Sequence, residues 1–421
     1  MEFFKINLQL FADPNTQTTT SEGLSPEMKT YYSKDLIETM GANLVHLQFG
    51  DPVNLPKHGG KSIEWRRWSK FKKALKPLTE GVTPDGSPLE VGTVVAKINQ
   101  FGDYSELTDL LEMTTIDNTI VEYTARHAEN AQLTIDTVVR NELCTGTNVL
   151  YADNMASGSA EKVDARGELT ADCKLTPDMI ARAVATLKKA NAPKYDGSYV
   201  AIVHPSVSYD LQRNPEFIDI NKYSNASTIF NGEIGKLYGV RFVESTEAAI
   251  FRGTQIAEGI NSLTIKSAKG EEITLSSALT AEQAEAISGK VIVLTTTVGD
   301  NQVIENVVVR NAEGDKLYLD KAPAVEATAS STITPFAGGA DGCAVYATIF
   351  LGKGAYKVVK LDSNNVEVIV KNIGSAGTSD PLNQRSTIGW KAIGFAARIA
   401  IPEYIVRVES GSYFSGEDEA N

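Results

Sequence analysis

The sequence predicts an α+β protein, and three stretches of the chain carry that prediction. Residues 114–143 form the longest run compatible with a helix, because apolar or small residues recur there every three or four positions. Residues 60–105 contain two stretches rich in β-branched and aromatic residues, which is typical of strands. Residues 251–342 alternate short strand-like runs with Gly, Asn and Asp turns, around one short helical piece. A chain of 421 residues is long enough for several domains of ordinary size.

The helix predicted over residues 114–143 has a thin apolar face. Its expected core-facing positions are Ile116, Ile120, Ile135, Val138 and Val139. Alanines and a threonine fill the middle of that face, and charged residues cover most other sides. At about 1.5 Å per residue the helix is a rod of roughly 40 Å. We expect it to lie across a surface as a spine rather than through a core.

Residues 60–105 predict a long hairpin with little apolar material of its own. The two strands, SIEWRRWSKF and VGTVVAKINQFGDYSEL, flank a loop marked by proline and glycine. Because two strands alone are marginally stable in water, we expect the hairpin to lie on a neighbouring chain. The residues expected to make this inter-subunit contact are Trp65, Arg66, Arg67, Trp68, Lys70, Phe71, Lys72 and Lys73.

The same basic and aromatic cluster has a second interpretation, as a nucleic-acid surface. The chain has 40 basic and 53 acidic residues and a net charge of −13, which weighs against a dedicated DNA-binding domain. A basic hairpin is better explained by an acidic neighbouring subunit, because opposite charges steer docking. This composition does not exclude a protein that encloses DNA without binding it tightly.

Other stretches predict compact helix and strand units. In residues 175–250, Thr176 and Pro177 mark the start of a helix, SYVAIVH is a buried-type strand, and Pro205 starts another helix. Further on, AVYATIFLGKG is a buried-type strand and VEVIVKNIG is another strand. The end of the chain predicts a pair of strands around Pro402 and an acidic tail, SGEDEAN, that we expect to be solvated.

No catalytic, cofactor-binding or metal-binding pattern stands out. The sequence has no GxSxG, HExxH or Walker motif, and its four histidines favour structural roles. Cys144, Cys173 and Cys343 are widely separated, which argues against a disulfide framework or a zinc site. No apolar run approaches the roughly 18 residues of a membrane span. We therefore expect no cofactor, no metal, no membrane partner and no enzymatic activity, and favour a role in assembly.

Three stretches, in order, resemble the major capsid proteins of tailed bacteriophages that have the Hong Kong 97-like fold. The first is LTEGVTPDG with NQFGDYSELTDLLEM, and the second is VAIVHPSVSYDLQR with GEIGKLYGVRFVES. The third is GSAGTSDPLNQRSTIGWKAIGFAARI with the strand EYIVRVES. Within that fold the chain is most similar to the large capsid family named after the coat protein of phage N-four. The ordered combination, rather than any single motif, carries the likeness.

The resemblance implies an α+β capsid architecture with an inserted β-rich domain. The strands near 101–113 and 388–410 would form the sheet of its peripheral domain. The implied segments are an N-terminal arm (1–59), an extended loop (60–105), a peripheral domain with its spine helix (106–174), an axial domain (175–250 and 343–387), an inserted β-rich domain (251–342), and peripheral-domain strands with a C-terminal tail (388–421).

The resemblance also implies a function. Such a protein self-assembles as hexamers and pentamers into an icosahedral shell that encloses double-stranded DNA without sequence specificity. Its partners would be copies of itself, a portal protein at one vertex and, where a phage uses them, scaffold and decoration proteins. It would assemble in the bacterial host cytoplasm and end in the virion capsid. Two alternatives stay open: an encapsulin-like compartment shell, and a secreted β-rich surface adhesin suggested by residues 251–342.

Overall fold

The structure is a computed structural model of the chain. It describes residues 45–56, 60–69, 71, 73, 75, 77, 80, 86, 88–114, 119–217, 236–253, 255–298, 301–361, 366–375 and 381–421. Lys70, Lys72 and Ile116, which the sequence analysis singled out, lie outside these ranges, as does most of the predicted N-terminal arm. No helix in the described ranges is long and apolar enough to cross a lipid bilayer.

The described residues form the following helices and strands. The helices are α1 (Asp109–Thr114), α2 (Thr119–Cys144), α3 (Pro177–Lys189), α4 (Pro205–Arg213) and α5 (Ala281–Ile287). The strands are β1 (Asp51–Leu55), β2 (Ser62–Trp68), β3 (Val91–Lys97), β4 (Asn99–Thr108), β5 (Val149–Tyr151), β6 (Tyr199–Val203), β7 (Lys236–Leu237), β8 (Val240–Glu244), β9 (Ile250–Phe251), β10 (Leu263–Lys269), β11 (Glu272–Leu275), β12 (Val291–Val298), β13 (Asn301–Glu313), β14 (Lys316–Leu319), β15 (Thr332–Pro335), β16 (Val345–Leu351), β17 (Tyr356–Leu361), β18 (Glu367–Lys371), β19 (Arg385–Ile399) and β20 (Ile405–Ser410).

Helix α2 lies against a sheet of five strands, counted over the described residues. Their order is β1-β17-β19-β18, and β4 also pairs with β19. Trp390 of β19 connects the sheet to the helix, because its Nε1 donates a hydrogen bond to Asn130 Oδ1 at 2.9 Å. Ile135 and Val139 of the helix are buried in the same apolar cluster as Trp390. The helix is therefore held against the sheet by a hydrogen bond near its middle and by buried apolar residues of its C-terminal half.

The helix predicted over residues 114–143 is confirmed from Thr119 to Leu143, and residues 115–118 lie outside the described ranges. The short helix α1 precedes α2 in the chain. The strand predicted over residues 101–113 is wrong after Thr108, where β4 ends. Thr108 Oγ1 accepts a hydrogen bond from Leu111 N at 3.3 Å and so caps the first turn of α1. The chain therefore changes from strand to helix at this cap. The apolar residues that follow, Leu110, Leu111 and Met113, belong to α1 and not to a longer strand.

A second sheet contains seven strands within the described ranges. Their order is β5-β20-β16-β6-β8-β7, and β9 also pairs with β16. Every residue of β6 and β16 is buried, because α3 and α4 pack on one face and residues from the end of α2 pack on the other. Strands that are covered on both faces have nearly continuous apolar sequences. The buried strands predicted in SYVAIVH and AVYATIFLGKG are thus confirmed.

Both helices beside this sheet begin where the sequence predicts. Thr176 Oγ1 accepts a hydrogen bond from Met179 N at 3.4 Å, which caps α3. His204 Nδ1 accepts one from Ser206 N at 3.2 Å, which caps α4. Burial lowers the pKa of His204, and the neutral ring leaves Nδ1 able to accept this bond. The two predicted helix starts are confirmed, and the histidine has a structural role.

Several strands lie in a different sheet from the one predicted. The strands near 388–410 do not share one sheet, because β20 pairs with β16 and β5 whereas β19 pairs with β4. β17 and β18, within the predicted axial segment 343–387, also pair with β19. Pro402 begins a short 3-10 turn that carries the chain from one sheet to the other. Strand pairing depends on packing between distant segments, which local patterns do not reveal.

Residues 263–335 contain a closed antiparallel barrel. Its strands follow the order β10-β11-β14-β13-β12-β15. Closure leaves no unpaired strand edge, and the interior holds its own apolar cluster. The helix predicted in LTAEQAEAIS is confirmed as α5, which begins with a reciprocal capping box between Thr280 and Gln283. The barrel therefore has its own core, separate from the cores of the two sheets.

Most of the acidic tail is exposed, as predicted for a solvated segment, but Asp418 and Asn421 also bind other parts of the subunit. Asp418 Oδ2 accepts hydrogen bonds from Ser206 Oγ and Tyr346 Oη, each at 2.6 Å. Arg140 Nη1 donates to Asn421 Oδ1 at 2.9 Å. Burial, together with the Asp418 carboxylate, raises the pKa of Tyr346. The tail meets donors from several elements, and its composition alone does not indicate them.

Candidate assembly interface

The hairpin predicted in residues 60–105 is formed by β2 and β3. The two strands are antiparallel, from Ser62 opposite Lys97 to Trp68 opposite Val91, and they pair with no other strand in the described ranges. The stretch VGTVVAKINQFGDYSEL, predicted as one strand, divides at Ile98 into β3 and β4, which belong to different sheets. The hairpin therefore leaves the five-stranded sheet at this residue.

The base of the hairpin packs on its own subunit. Ile63 and Trp65 contact a small buried cluster that consists of Leu55, Ala96, Val359 and Ala396. The Nζ atom of Lys357 lies 5.0 Å from the centroid of the Trp65 indole ring, within cation–π distance. Trp65, which we expected to contact a neighbouring subunit, is thus partly buried in its own subunit.

Beyond its base the hairpin presents apolar side chains to solvent. Trp68 is 59% exposed, Phe71 63% and Leu75 82%. Lys73 is also exposed. Large apolar side chains that are exposed together mark a surface that binds a partner. Among the residues predicted for the interface, Trp68, Phe71 and Lys73 are therefore exposed on this subunit.

Arg66 and Arg67 are both exposed, but Arg67 has a partner in the same chain. Arg67 Nη2 donates a hydrogen bond to Glu403 Oε1 at 2.7 Å. Partial burial acts to raise the pKa of Glu403, but the hydrogen bond and charge of Arg67, together with a backbone hydrogen bond, lower that pKa overall. The pair links the hairpin to the turn between β19 and β20.

We expect Arg67→Glu to lower the free energy of unfolding by less than about 1 kcal/mol, because exposed ion pairs contribute little. Both side chains of this pair are about half exposed, at 45% and 50%. Urea denaturation at low salt measures the change, and the double variant R67E/E403R should restore the original value. Arg66→Glu is the matched control on the adjacent residue. A loss of several kcal/mol in R67E would contradict this description of the pair.

The barrel, the hairpin and α2 meet at one charged junction. Arg398 Nη1 lies 3.2 Å from Glu142 Oε2, and its Nη2 lies 3.0 Å from Asp320 Oδ2. Lys97 Nζ donates to Glu271 Oε1 at 2.5 Å. Although burial opposes it, the Glu142 and Asp320 carboxylates raise the pKa of Arg398. These residues line a cleft of about 600 Å³, to which the barrel, the hairpin and α2 all contribute.

A second charge network, which the sequence analysis missed, lies buried at the end of α2. Arg407 Nε donates to Glu409 Oε1 at 2.8 Å, and Arg166 Nη2 donates to the same oxygen at 2.5 Å. Arg407 Nη1 also donates to the carbonyl oxygen of Cys144, the last residue of the helix. The sequence VRVES contains a signal for this pair: Arg407 and Glu409 are two residues apart, and residues two apart in a strand share a face. An Arg and a Glu on one face of an apolar strand indicate a buried pair.

The predicted core face of α2 divides into buried and half-buried positions. Ile135 and Val139 are buried, whereas Ile120 and Val138 are half-buried. Asp136, on the same helix, is also buried and was missed. Its carboxylate oxygens lie 2.7 Å from His46 Nδ1 and 3.1 Å from the backbone nitrogen of Leu47. The helix thus holds the beginning of the described chain through a polar contact.

The described residues offer contact surfaces rather than a metal centre. None of their groups of three or more His, Cys, Asp and Glu residues could hold a metal ion. The three cysteines are free, with Cys144 and Cys173 buried and Cys343 half-buried. The hairpin, with its packed base and exposed distal part, is therefore the candidate site.

Comparisons with known proteins point to one class of protein. A sequence model of the family described as "Phage capsid protein" matches residues 103–357. A search of curated proteins found no match. The fold is similar to that of solved phage capsids along nearly the whole chain.

The capsid of the cyanophage P-SCSP1u is 11% identical, with a TM-score of 0.55, and the match covers 97% of this chain and 100% of that chain. The capsid of the Helicobacter pylori bacteriophage KHP30 is 8% identical, with a TM-score of 0.54 and coverages of 97% and 99%. The capsid of the cyanophage Pam1 is 11% identical, with a TM-score of 0.53 and coverages of 99% and 100%. At these identities the likeness concerns the fold.

Proposed function

This chain belongs to the phage capsid protein family, whose model matches more than half of it, and from this premise we propose that it builds the icosahedral head of a tailed bacteriophage. As a capsid protein it is a structural component of the virion shell. The similarity to phage capsids along nearly its full length carries the proposal, because one fold accounts for the whole chain. The proposed role is structural and not enzymatic.

We assign the parts of the chain to a Hong Kong 97-like architecture. Its N-terminal arm ends before β1, and not at residue 59 as predicted, because β1 pairs with β17 in the five-stranded sheet. The hairpin of β2 and β3 is its extended loop. Helix α2 with the five-stranded sheet is the peripheral domain, and the seven-stranded sheet with α3 and α4 is the axial domain. The barrel is an inserted domain. Its separate core supports this assignment, because such a unit can be added without disturbing the other cores.

We propose that the distal hairpin docks on a neighbouring subunit, as the extended loop of such a shell. Its exposed apolar side chains, Trp68 and Phe71, would be covered there. The lysines and arginines around them would face a subunit whose net charge is strongly negative. Obligate assemblies usually bury more than about 2,000 Å² per interface, and an overlapping loop adds to that area.

The proposed assembly consists of hexamers and pentamers that form in the bacterial host cytoplasm. A portal protein at one vertex, and scaffold or decoration proteins where the phage uses them, would complete the head. Packaged double-stranded DNA would be enclosed without sequence specificity. The net charge of −13 fits this role, because an acidic shell does not bind DNA tightly.

Electron microscopy of the purified full-length chain tests the proposal. We expect closed particles of uniform diameter, with hexameric and pentameric units, when the chain is expressed with its scaffold or concentrated under assembly conditions. Protein that remains monomeric under all these conditions would contradict the shell function. Particles that carry a folded enzyme instead of DNA in their natural host would indicate an encapsulin-like compartment.

A further inference from the structure

Among the described residues, strand β18 is an edge strand of the five-stranded sheet. It pairs with β19 along one side, and no strand in the described ranges pairs with its other side. All five of its residues are exposed, including Val368 at 40%, Ile369 at 38% and Val370 at 43%. An exposed apolar edge strand is a template for pairing with another chain unless charges interrupt it. In β18 the charges, Glu367 and Lys371, lie only at its ends.

The residue order of β18 is complementary to itself in an antiparallel arrangement. When two copies of E-V-I-V-K pair around Ile369, each Glu367 lies opposite a Lys371 and each Val368 opposite a Val370. Directly opposed side chains share a face of the sheet, and opposite charges there stabilise the pair. A parallel arrangement, or a shift by one residue, separates these charges. The pattern therefore favours one partner and one register.

We propose that β18 pairs with β18 of a second copy of this chain across a two-fold axis that passes beside Ile369. The two five-stranded sheets then form one continuous sheet across two subunits. A contact between identical surfaces closes on itself, as two-fold contacts between subunits do. The inference rests on the proposed shell function, because it places this contact between subunits of the assembled particle.

The neighbouring strand supports this arrangement. Lys391 of β19 lies directly opposite Glu367. In the paired form each Glu367 carboxylate lies between two ammonium groups, one from Lys391 of its own subunit and one from Lys371 of the second copy. Gly389 lies opposite Ile369, so β19 places no side chain beside the centre of the contact. The two Ile369 side chains are thus free to pack on each other.

The N-terminal segment of the chain is the other possible occupant of this edge. Residues 3–11, FFKINLQLF, alternate apolar and polar side chains, which also predicts a strand. Their one charged residue, Lys5, cannot match Glu367 and Lys371 together. Charge complementarity therefore favours β18 of a second copy, and binding of the N-terminal segment is an outcome that the test distinguishes.

A cysteine at the proposed axis tests the pairing. Opposed residues in antiparallel strands have Cα atoms roughly 4.5–5.5 Å apart, a separation that a disulfide bridges. We expect the Ile369→Cys protein, oxidised as assembled particles, to give mostly disulfide-linked dimers on a non-reducing gel. The wild type and Ile304→Cys, an exposed barrel position, should not. Absence of dimers overturns the proposal, and so does cross-linking of Ile369→Cys to Ile6→Cys in place of self-pairing.

Charge reversal distinguishes specific pairing from accidental contact. In the Ile369→Cys background, E367K places two lysines opposite each other and K371E places two glutamates opposite each other. We expect each variant alone to form dimers several-fold more slowly. A mixture of the two restores opposite charges in mixed pairs, so mass spectrometry should find mainly mixed dimers, formed near the original rate. Equal rates for all three samples would overturn the proposal.

Particle formation separates this proposal from the function on which it rests. Particles of the Ile369→Cys protein that give no cross-link contradict the strand pairing and leave the shell function standing. A wild-type chain that forms no particles contradicts the shell function. The cross-link and the particle count therefore report on the two proposals separately.

Discussion

Replacing Glu409 by glutamine is expected to lower the free energy of unfolding by about 3–5 kcal/mol, because it leaves a buried guanidinium without its counter-charge. Arg407 is 1% exposed and Glu409 is fully buried. Glu409 accepts hydrogen bonds from both Arg407 and Arg166, and a glutamine amide keeps only one acceptor oxygen, so at least one arginine N–H then faces an NH2 donor. Urea denaturation followed by circular dichroism measures the loss.

Glu272→Gln is the matched control for this prediction. It removes the carboxylate from the Lys316–Glu272 pair, whose side chains are 46% and 43% exposed. Exposed pairs contribute less than about 1 kcal/mol, so the control should unfold almost as the wild type does. Equal losses in the two variants would show that the buried network contributes no more than an exposed pair.

The difference in the free energy of unfolding between wild type and E409Q should also depend on pH. Burial acts to raise the pKa of Glu409, but the guanidinium groups of Arg407 and Arg166 outweigh it and hold that pKa below its ordinary value of 4.5. A carboxyl group whose pKa is lowered by folding stabilises the protein above its unfolded pKa. That stability is lost as the pH falls through the folded pKa. The difference should therefore be full at neutral pH and shrink below about pH 4.5, whereas a constant difference would contradict this role.

Shortening the hairpin is expected to abolish assembly while the subunit stays folded. Trp68 and Val91 are register partners, so a two-residue Asn-Gly turn can join them in place of residues 69–90. The removed segment includes the exposed Phe71 and Leu75, and the packed base around Trp65 remains. We expect a nearly unchanged unfolding temperature and no particles by electron microscopy.

Single substitutions test the same role of the hairpin with a smaller change than its shortening. Phe71→Ala removes an apolar side chain that is 63% exposed on the hairpin, and Ile304→Ala removes one that is 67% exposed on the barrel. We expect slower assembly in the first variant and wild-type assembly in the second. A shortened protein that assembles normally would refute the extended-loop role. One that unfolds would show that the distal hairpin belongs to the core of its own subunit.

Local patterns were sufficient to predict many of the elements. Thr176 with Pro177, and Pro205, indicated where α3 and α4 begin. The apolar runs of β6 and β16 indicated strands that are covered on both faces. Each of these signals lies within a few residues of the helix or strand that it specifies, so it can be recognised from the local sequence alone.

The candidate interface was predicted in part. The sequence indicated a basic, aromatic hairpin, and the structure shows that hairpin with an exposed distal part. It did not indicate that Trp65 packs on its own subunit or that Arg67 binds Glu403, more than 300 residues away in the chain. These contacts join segments that are distant in sequence, and local spacing carries no information about them.

The sequence by itself therefore determined the helices and strands with strong local signals, the basic hairpin and the absence of catalytic motifs. Only the tertiary structure decided that β20 leaves the sheet of β19 for the sheet of β16, and that Arg407 and Glu409 form a buried pair. The physical reason is that the ends of helices and the backbone periodicities are set by neighbouring residues. Strand partners and buried charges are set by which distant surfaces exclude water together.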